Sequence, residues 1–72
     1  MPYLVIKDIE LIRILVKNYG YRVLRHKGSH VFLSDLSHVT TIPYHNRELG
    51  AGLLNKILKD CELEKDDIKK YV

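Results

Sequence analysis

A single cysteine, Cys61, occurs in 72 residues, so an internal disulfide framework is excluded and a reducing compartment suits the chain. The four histidines and this cysteine show no ligand-like spacing of the zinc-finger kind. No apolar run approaches the roughly 18 residues needed to span a membrane. The N-terminus also lacks a basic region followed by a signal-type apolar stretch. Repeats and low-complexity tracts are absent. With 46% apolar residues the composition is that of a folded globular protein rather than a disordered one. We therefore expect one soluble, cytoplasmic domain over residues 1–72, with a small core.

Charge is unevenly spread. Residues 1–59 hold nine Lys/Arg against four Asp/Glu, whereas residues 60–72 hold three against five. A basic body with an acidic tail favours a polyanionic partner, and nucleic acid is the commonest.

Along the chain, Pro2 discourages helix at the start. Asp8 can cap a helix running to Asn18, in which Ile9, Leu11, Ile12, Ile14, Leu15 and Val16 cover so wide an arc that the helix should be largely buried. Gly20 suits a left-handed exit. Residues 21–26 and 29–34 read as strands joined by Lys27-Gly28, a tight hairpin that would set Arg25 opposite His30, Val23 opposite Phe32 and Leu24 opposite Val31. This register directs Val31 and Leu33 inward and His30 outward, although a one-residue slip would reverse the faces.

Asp35-Leu36-Ser37 reads as a turn, His38 to Ile42 as a third strand, and Tyr44 to Glu48 as a polar connection. A second helix from Gly50 to Cys61 carries the stripe Leu49, Leu53, Leu54, Ile57, Leu58 and Cys61. Residues 62–72 form a short acidic third helix anchored by Ile68 and Tyr71. The expected class is α+β: two layers in the order α-β-β-β-α, both long helices on one face of a three-stranded antiparallel sheet, with a short C-terminal helix. The other face, with Phe32, Val23 and Tyr21 near His30, would be exposed and apolar, a candidate surface for a protein partner.

Lys27-Gly28-Ser29-His30 is the most informative segment. It sets a cation, a flexible joint, a hydroxyl and an imidazole side by side at a hairpin bend, a combination able to hold a phosphodiester and move a proton near it. The ordered set Ile9-Glu10-Leu11-Ile12-Arg13-Ile14-Leu15, Gly20-Tyr21, Arg25-His26-Lys27-Gly28-Ser29-His30, Thr41-Ile42-Pro43-Tyr44-His45-Asn46 and Glu48 to Lys59 resembles the HicA (YcfA-like) family. These are type II toxins that cleave messenger RNA, have a double-stranded-RNA-binding-domain-like fold, and are encoded beside the antitoxin HicB. The chain departs from the family pattern at Cys61-Glu62, often a small residue and glycine, and at Leu53, usually threonine.

The resemblance implies a metal-independent endoribonuclease toxin without a cofactor, acting on messenger RNA and held by a HicB-like antitoxin. His30 matches the family's catalytic histidine, and RNA cleavage needs a base for the 2′-hydroxyl proton. Arg25 and Lys27 would bind the phosphate, Gly28 would let it approach the backbone, and Ser29 would hydrogen-bond it. His45, in a segment the family shares, would line the site or cap the second helix. Gly50 and Gly52 serve close helix packing better than phosphate binding, while Tyr21 and Tyr44 are base-stacking or packing residues. His26 and His38 read as plain surface, and Cys61 as core. The alternative is a non-catalytic RNA-binding module using the same basic face.

Overall fold

A computed structural model describes residues 4–72; Pro2 lies outside them. The elements are α1 (Asp8–Asn18), β1 (Arg22–Lys27), β2 (His30–Ser34), β3 (Val39–Pro43), α2 (Ala51–Asp60) and α3 (Lys65–Lys69). The strands form an antiparallel meander in the order β1-β2-β3. The α+β reading and its element order therefore hold.

Burial follows strand alternation. Val31 and Leu33 of β2 and Thr40 and Ile42 of β3 are buried, and their neighbours are not. Val31, Leu33 and Ile42 join Leu11, Ile14 and Leu15 of α1, Leu54, Ile57 and Leu58 of α2, and Ile68 of α3 in one core, while Thr40 donates its hydroxyl to Asp60. Both long helices thus lie on the same sheet face. No residue of β1 is buried. Its sequence, RVLRHK, carries three cations that a helix could cover only at a large desolvation cost.

Three details differ from the sequence reading. Val16 and Leu53 are exposed, so α1 is amphipathic rather than enclosed and the α2 stripe is narrower. Tyr71 is exposed as well, meeting Tyr19 edge-on with ring centroids 5.9 Å apart, so of the two expected anchors only Ile68 is buried in the core. Gly50 and Gly52 are exposed, and a Cβ built on either meets nothing within 4 Å. Close helix–sheet packing does not explain these glycines.

The helix ends use local chemistry. Gly20 (φ +71°) ends α1 in the left-handed region, as expected, and the Tyr21 N–H returns to the Leu15 carbonyl. At the end of α2 the same conformation falls to Glu62 (φ +55°), and the Leu63 N–H bonds to the Leu58 carbonyl. A side chain in this region costs about 1–2 kcal/mol.

Glu62 is also tied to the β2–β3 turn. His38 places Nδ1 3.1 Å from the Asp35 carboxylate and Nε2 3.6 Å from Glu62. His38 is therefore a link between turn and helix end rather than plain surface. Its hydrogen bond to Asp35 raises the His38 pKa against the opposing effect of desolvation. Burial pulls the Asp35 carboxyl up, but hydrogen bonds from the His38 ring and from the His38 and Ser37 N–H groups outweigh it and leave the pKa lowered.

The signs of these shifts set a pH window. A raised folded-state pKa makes the His38 contribution complete below the ordinary histidine value of 6.5 and lost as pH rises through the folded value. A lowered one makes the Asp35 contribution complete above 3.8 and lost as pH falls through the folded value. The stability difference between wild type and His38→Gln, measured by urea unfolding, should be largest near pH 5 and shrink steadily above pH 6.5. Glu62→Gly should raise stability by about 0.5–1 kcal/mol at pH 8, where relief of the left-handed backbone dominates. The gain should be smaller at pH 5, where the His38 partner is also lost.

Candidate RNA-binding face and histidine site

The β1–β2 register places the candidate residues. Lys27 pairs with His30, Arg25 with Phe32, His26 with Val31, Val23 with Leu33 and Arg22 with Ser34, with a bulge between Val23 and Arg25. The bend is Gly28-Ser29 rather than Lys27-Gly28, so Lys27, and not Arg25, stands opposite His30. Val23 does not face Phe32, nor Leu24 Val31. The physical reason is turn chemistry combined with the bulge. Gly28 (φ +59°) takes the first central position and Ser29 does not have positive φ, the sign pattern of a type II′ turn. The bulge then absorbs Leu24 and shifts the upstream pairs.

Direct partners point to the same side of a sheet, with Cβ atoms about 4.5–5.5 Å apart. The face away from the helices therefore carries one row of Lys27, His30 and Pro43, and a second row of Arg25, Phe32 and Thr41. His30 is exposed, as are Lys27 and Arg25. The Arg25 guanidinium carbon lies 4.9 Å from the centre of the Phe32 ring. The three strands contain Arg22, Arg25 and Lys27 and no acidic residue. Among the described residues, no ion pair engages these cations.

The apolar patch expected on this face is not there. Tyr21 is buried in the core at 2% exposure, and Val23 aligns with Leu33 on the helix side. Of the three expected residues only Phe32 shares the face with His30, and it is half-buried with Arg25 over it. Exposed Val39, the partner of Ser34, stands at the far end of the same face. Burial pushes the Tyr21 hydroxyl pKa up, and the neighbouring Cys61 raises it further, yet the hydroxyl makes no oriented hydrogen bond. Tyr21 is thus a packing residue. Burial likewise raises the pKa of the Cys61 thiol, which keeps it protonated core.

His26 faces the helix side, opposite His30, and its ring meets Tyr44 edge-on at 4.7 Å. Tyr44 is therefore engaged beneath the bend rather than displayed beside His30. Its N–H donates to the Ser29 carbonyl at 2.6 Å, binding the segment after β3 to the Gly28-Ser29 turn. His45 follows with an exposed ring, and its backbone N–H donates to Asp8 at 2.7 Å. His45 is thus held at the His30 end of the sheet, although among the described residues no hydrogen bond connects the two rings. It does not cap α2, whose N-cap is Gly50.

Asp8 was expected as a helix cap. It is the first residue of α1 instead, with Lys7 at the cap position, and its carboxylate is 1% exposed. It accepts from the Ile9 and His45 N–H groups. Its own N–H donates to the Arg47 carbonyl, and the Leu49 N–H donates to that of Ile6. This lacing fixes the 44–49 segment and, through Tyr44, the Gly28-Ser29 bend. No sequence signal distinguishes such a tether from an ordinary helix-start aspartate. The Phe32 position, in contrast, follows from alternation two residues beyond His30.

The histidine site is an open sheet surface. Two concavities lie elsewhere: a groove of about 460 Å³ between Gly20 and Leu36, and another of about 250 Å³ beside α1 and Tyr71. Single-stranded nucleic acid is read on open, cationic, aromatic-bearing surfaces, so flatness suits that partner. Among the described residues, no group of three His, Cys, Asp or Glu side chains gathers in a metal-binding arrangement. No helix among the described residues is long and apolar enough to cross a membrane.

Comparison with known families adds one finding. Residues 10–63 match the family model described as HicA toxin of bacterial toxin-antitoxin. No curated protein matches the chain.

Replacing Asp8 by alanine leaves two part-buried N–H groups without their acceptor and should cost about 1–3 kcal/mol in urea unfolding. Amide exchange at His45 should accelerate in the same variant.

Proposed function

The chain belongs to the HicA toxin family, and from that membership we propose that it is an endoribonuclease cleaving messenger RNA, with His30 as its acid–base group. The family makes it the toxin of a toxin–antitoxin pair, with an antitoxin as partner, and its members are generally RNA-cleaving. The observation that carries the finer reading is the exposed His30 imidazole, paired across the hairpin with Lys27 on a sheet devoid of acidic residues.

The chemistry requires few parts. A base takes the proton from the 2′-hydroxyl, and the freed oxygen attacks phosphorus. The bond to the 5′-oxygen breaks, and that oxygen takes up a proton. Neutral imidazole performs the first transfer near neutral pH, and the imidazolium so formed can return the proton to the leaving oxygen. Lys27, its direct partner across the hairpin, offsets charge on the phosphate.

Gly28 brings no Cβ to the bend, so the phosphate can approach the backbone, and the Ser29 hydroxyl can bond it. Arg25, a row further on, supplies a second cation. His45 stands at the same sheet end as a substrate contact. None of these roles calls for a metal or an organic cofactor. We further propose that a HicB-like antitoxin inhibits by covering this face, through its cationic surface rather than an apolar patch.

His30→Ala should reduce cleavage of single-stranded RNA in EDTA by about 10²–10⁴-fold, with RNA affinity and thermal midpoint little changed because the ring is exposed. Equal and negligible cleavage by both proteins, with RNA still bound, would instead establish the non-catalytic binding module.

A further inference from the structure

We infer that Phe32 and Arg25 form a seat for one unpaired nucleobase adjacent to the cleaved phosphate. This rests on the RNA-cleaving reading of His30 and names the recognition element next to it. Among the described residues, Phe32 is the single Phe or Tyr on the open sheet face. It lies two residues from His30 on β2, so the two side chains stand on one face about 6.6 Å apart along the strand. That step is about the reach of one nucleotide. A phosphate at Lys27 and His30 therefore presents its neighbouring base to the second row.

The second row is built to receive it. The Arg25 guanidinium sits 4.9 Å from the Phe32 ring centre, so the row offers a planar cation backed by an aromatic ring. Both are surfaces on which bases stack, and stacking tolerates any base because every base has a π-face. Thr41 closes the far side of the row with a hydroxyl that makes no hydrogen bond among the described residues.

The surroundings favour nucleic acid over a protein partner. Within its row Phe32 is bordered by Arg25 and Thr41, and Lys27 and Ser34 stand in the rows on either side. The face's other apolar side chains, Pro43 and Val39, lie in those outer rows rather than beside the ring. The core of a protein interface is a contiguous apolar patch depleted of charge, and this row has neither property. One ring framed by uncompensated cations matches a base flanked by phosphates. It also requires a splayed, single-stranded substrate, because a base inside a duplex cannot reach a ring on a flat sheet.

The test uses a short, uncleavable 2′-O-methyl oligoribonucleotide and the same oligomer carrying one abasic nucleotide at each position in turn. Wild type should bind one abasic oligomer about five- to 150-fold more weakly than the intact one. Phe32→Leu and Arg25→Lys should each weaken binding of the intact oligomer by about fivefold or more, yet leave that particular abasic oligomer unaffected. Arg25→Lys keeps the charge and loses the plane, so its loss should persist at high salt, unlike that of a phosphate contact. It is an exposed substitution and carries the test if Phe32→Leu proves unstable.

Cleavage of ordinary single-stranded RNA by both variants should fall in parallel with affinity, and duplex RNA should compete poorly. Full binding by both variants to every oligomer, or equal losses on intact and abasic oligomers, would overturn the base seat. Wild-type cleavage would still support the nuclease reading in that case. Antitoxin binding impaired by these variants with RNA binding intact would likewise overturn it, making the row a protein contact.

Discussion

A carboxylate sealed from water at the start of α1 holds the two halves of the molecule in register. Burying an unpaired anion is costly, and Asp8 is tolerable because two backbone N–H groups and the positive end of its helix face it. One of those groups belongs to His45, so the segment leaving β3 is drawn to the entry of α1. The same segment meets the hairpin bend through the Tyr44 N–H. Helix start, connecting loop and bend thus form one hydrogen-bonded chain. A flat sheet surface has no walls to orient a substrate, so the rigidity of its edge must come from such lacing.

The second constraint is electrostatic. β1 carries three of the chain's cations, which keeps both helices off it and leaves them seated over β2 and β3. An uncovered edge strand invites pairing with other chains, but charge and a bulge make β1 a poor template. The acidic residues, meanwhile, lie on the helices, turns and tail. The same separation that shapes the fold leaves a surface suited to a polyanion.

How much of this could be read beforehand depended on the range of the signal. Gly20, the Asp35 turn and the apolar stripe of α2 act over a few residues, and each was legible. The outward direction of His30 was legible too, because period-two alternation needs only Val31 and Leu33 as references. Pairing across the hairpin was not. Whether Gly28 occupied the first or second turn position, and whether Leu24 was bulged, changed the partner of His30 from Arg25 to Lys27. Tyr21 and Val23 were misplaced for the same reason.

The sequence alone determined the order of elements, the α+β class, the basic character of the central strands and the display of an imidazole beside a glycine bend. Those properties depend on neighbours a few positions apart, where propensity and periodicity are strong. The tertiary structure decided what lies across from what: Lys27 opposite His30, Arg25 over Phe32, His45 leashed to Asp8, and His38 caught between Asp35 and Glu62. Such contacts join residues whose separation along the chain carries no pattern. They form only when packing and hydrogen-bond satisfaction select one register among several that the same residues allow.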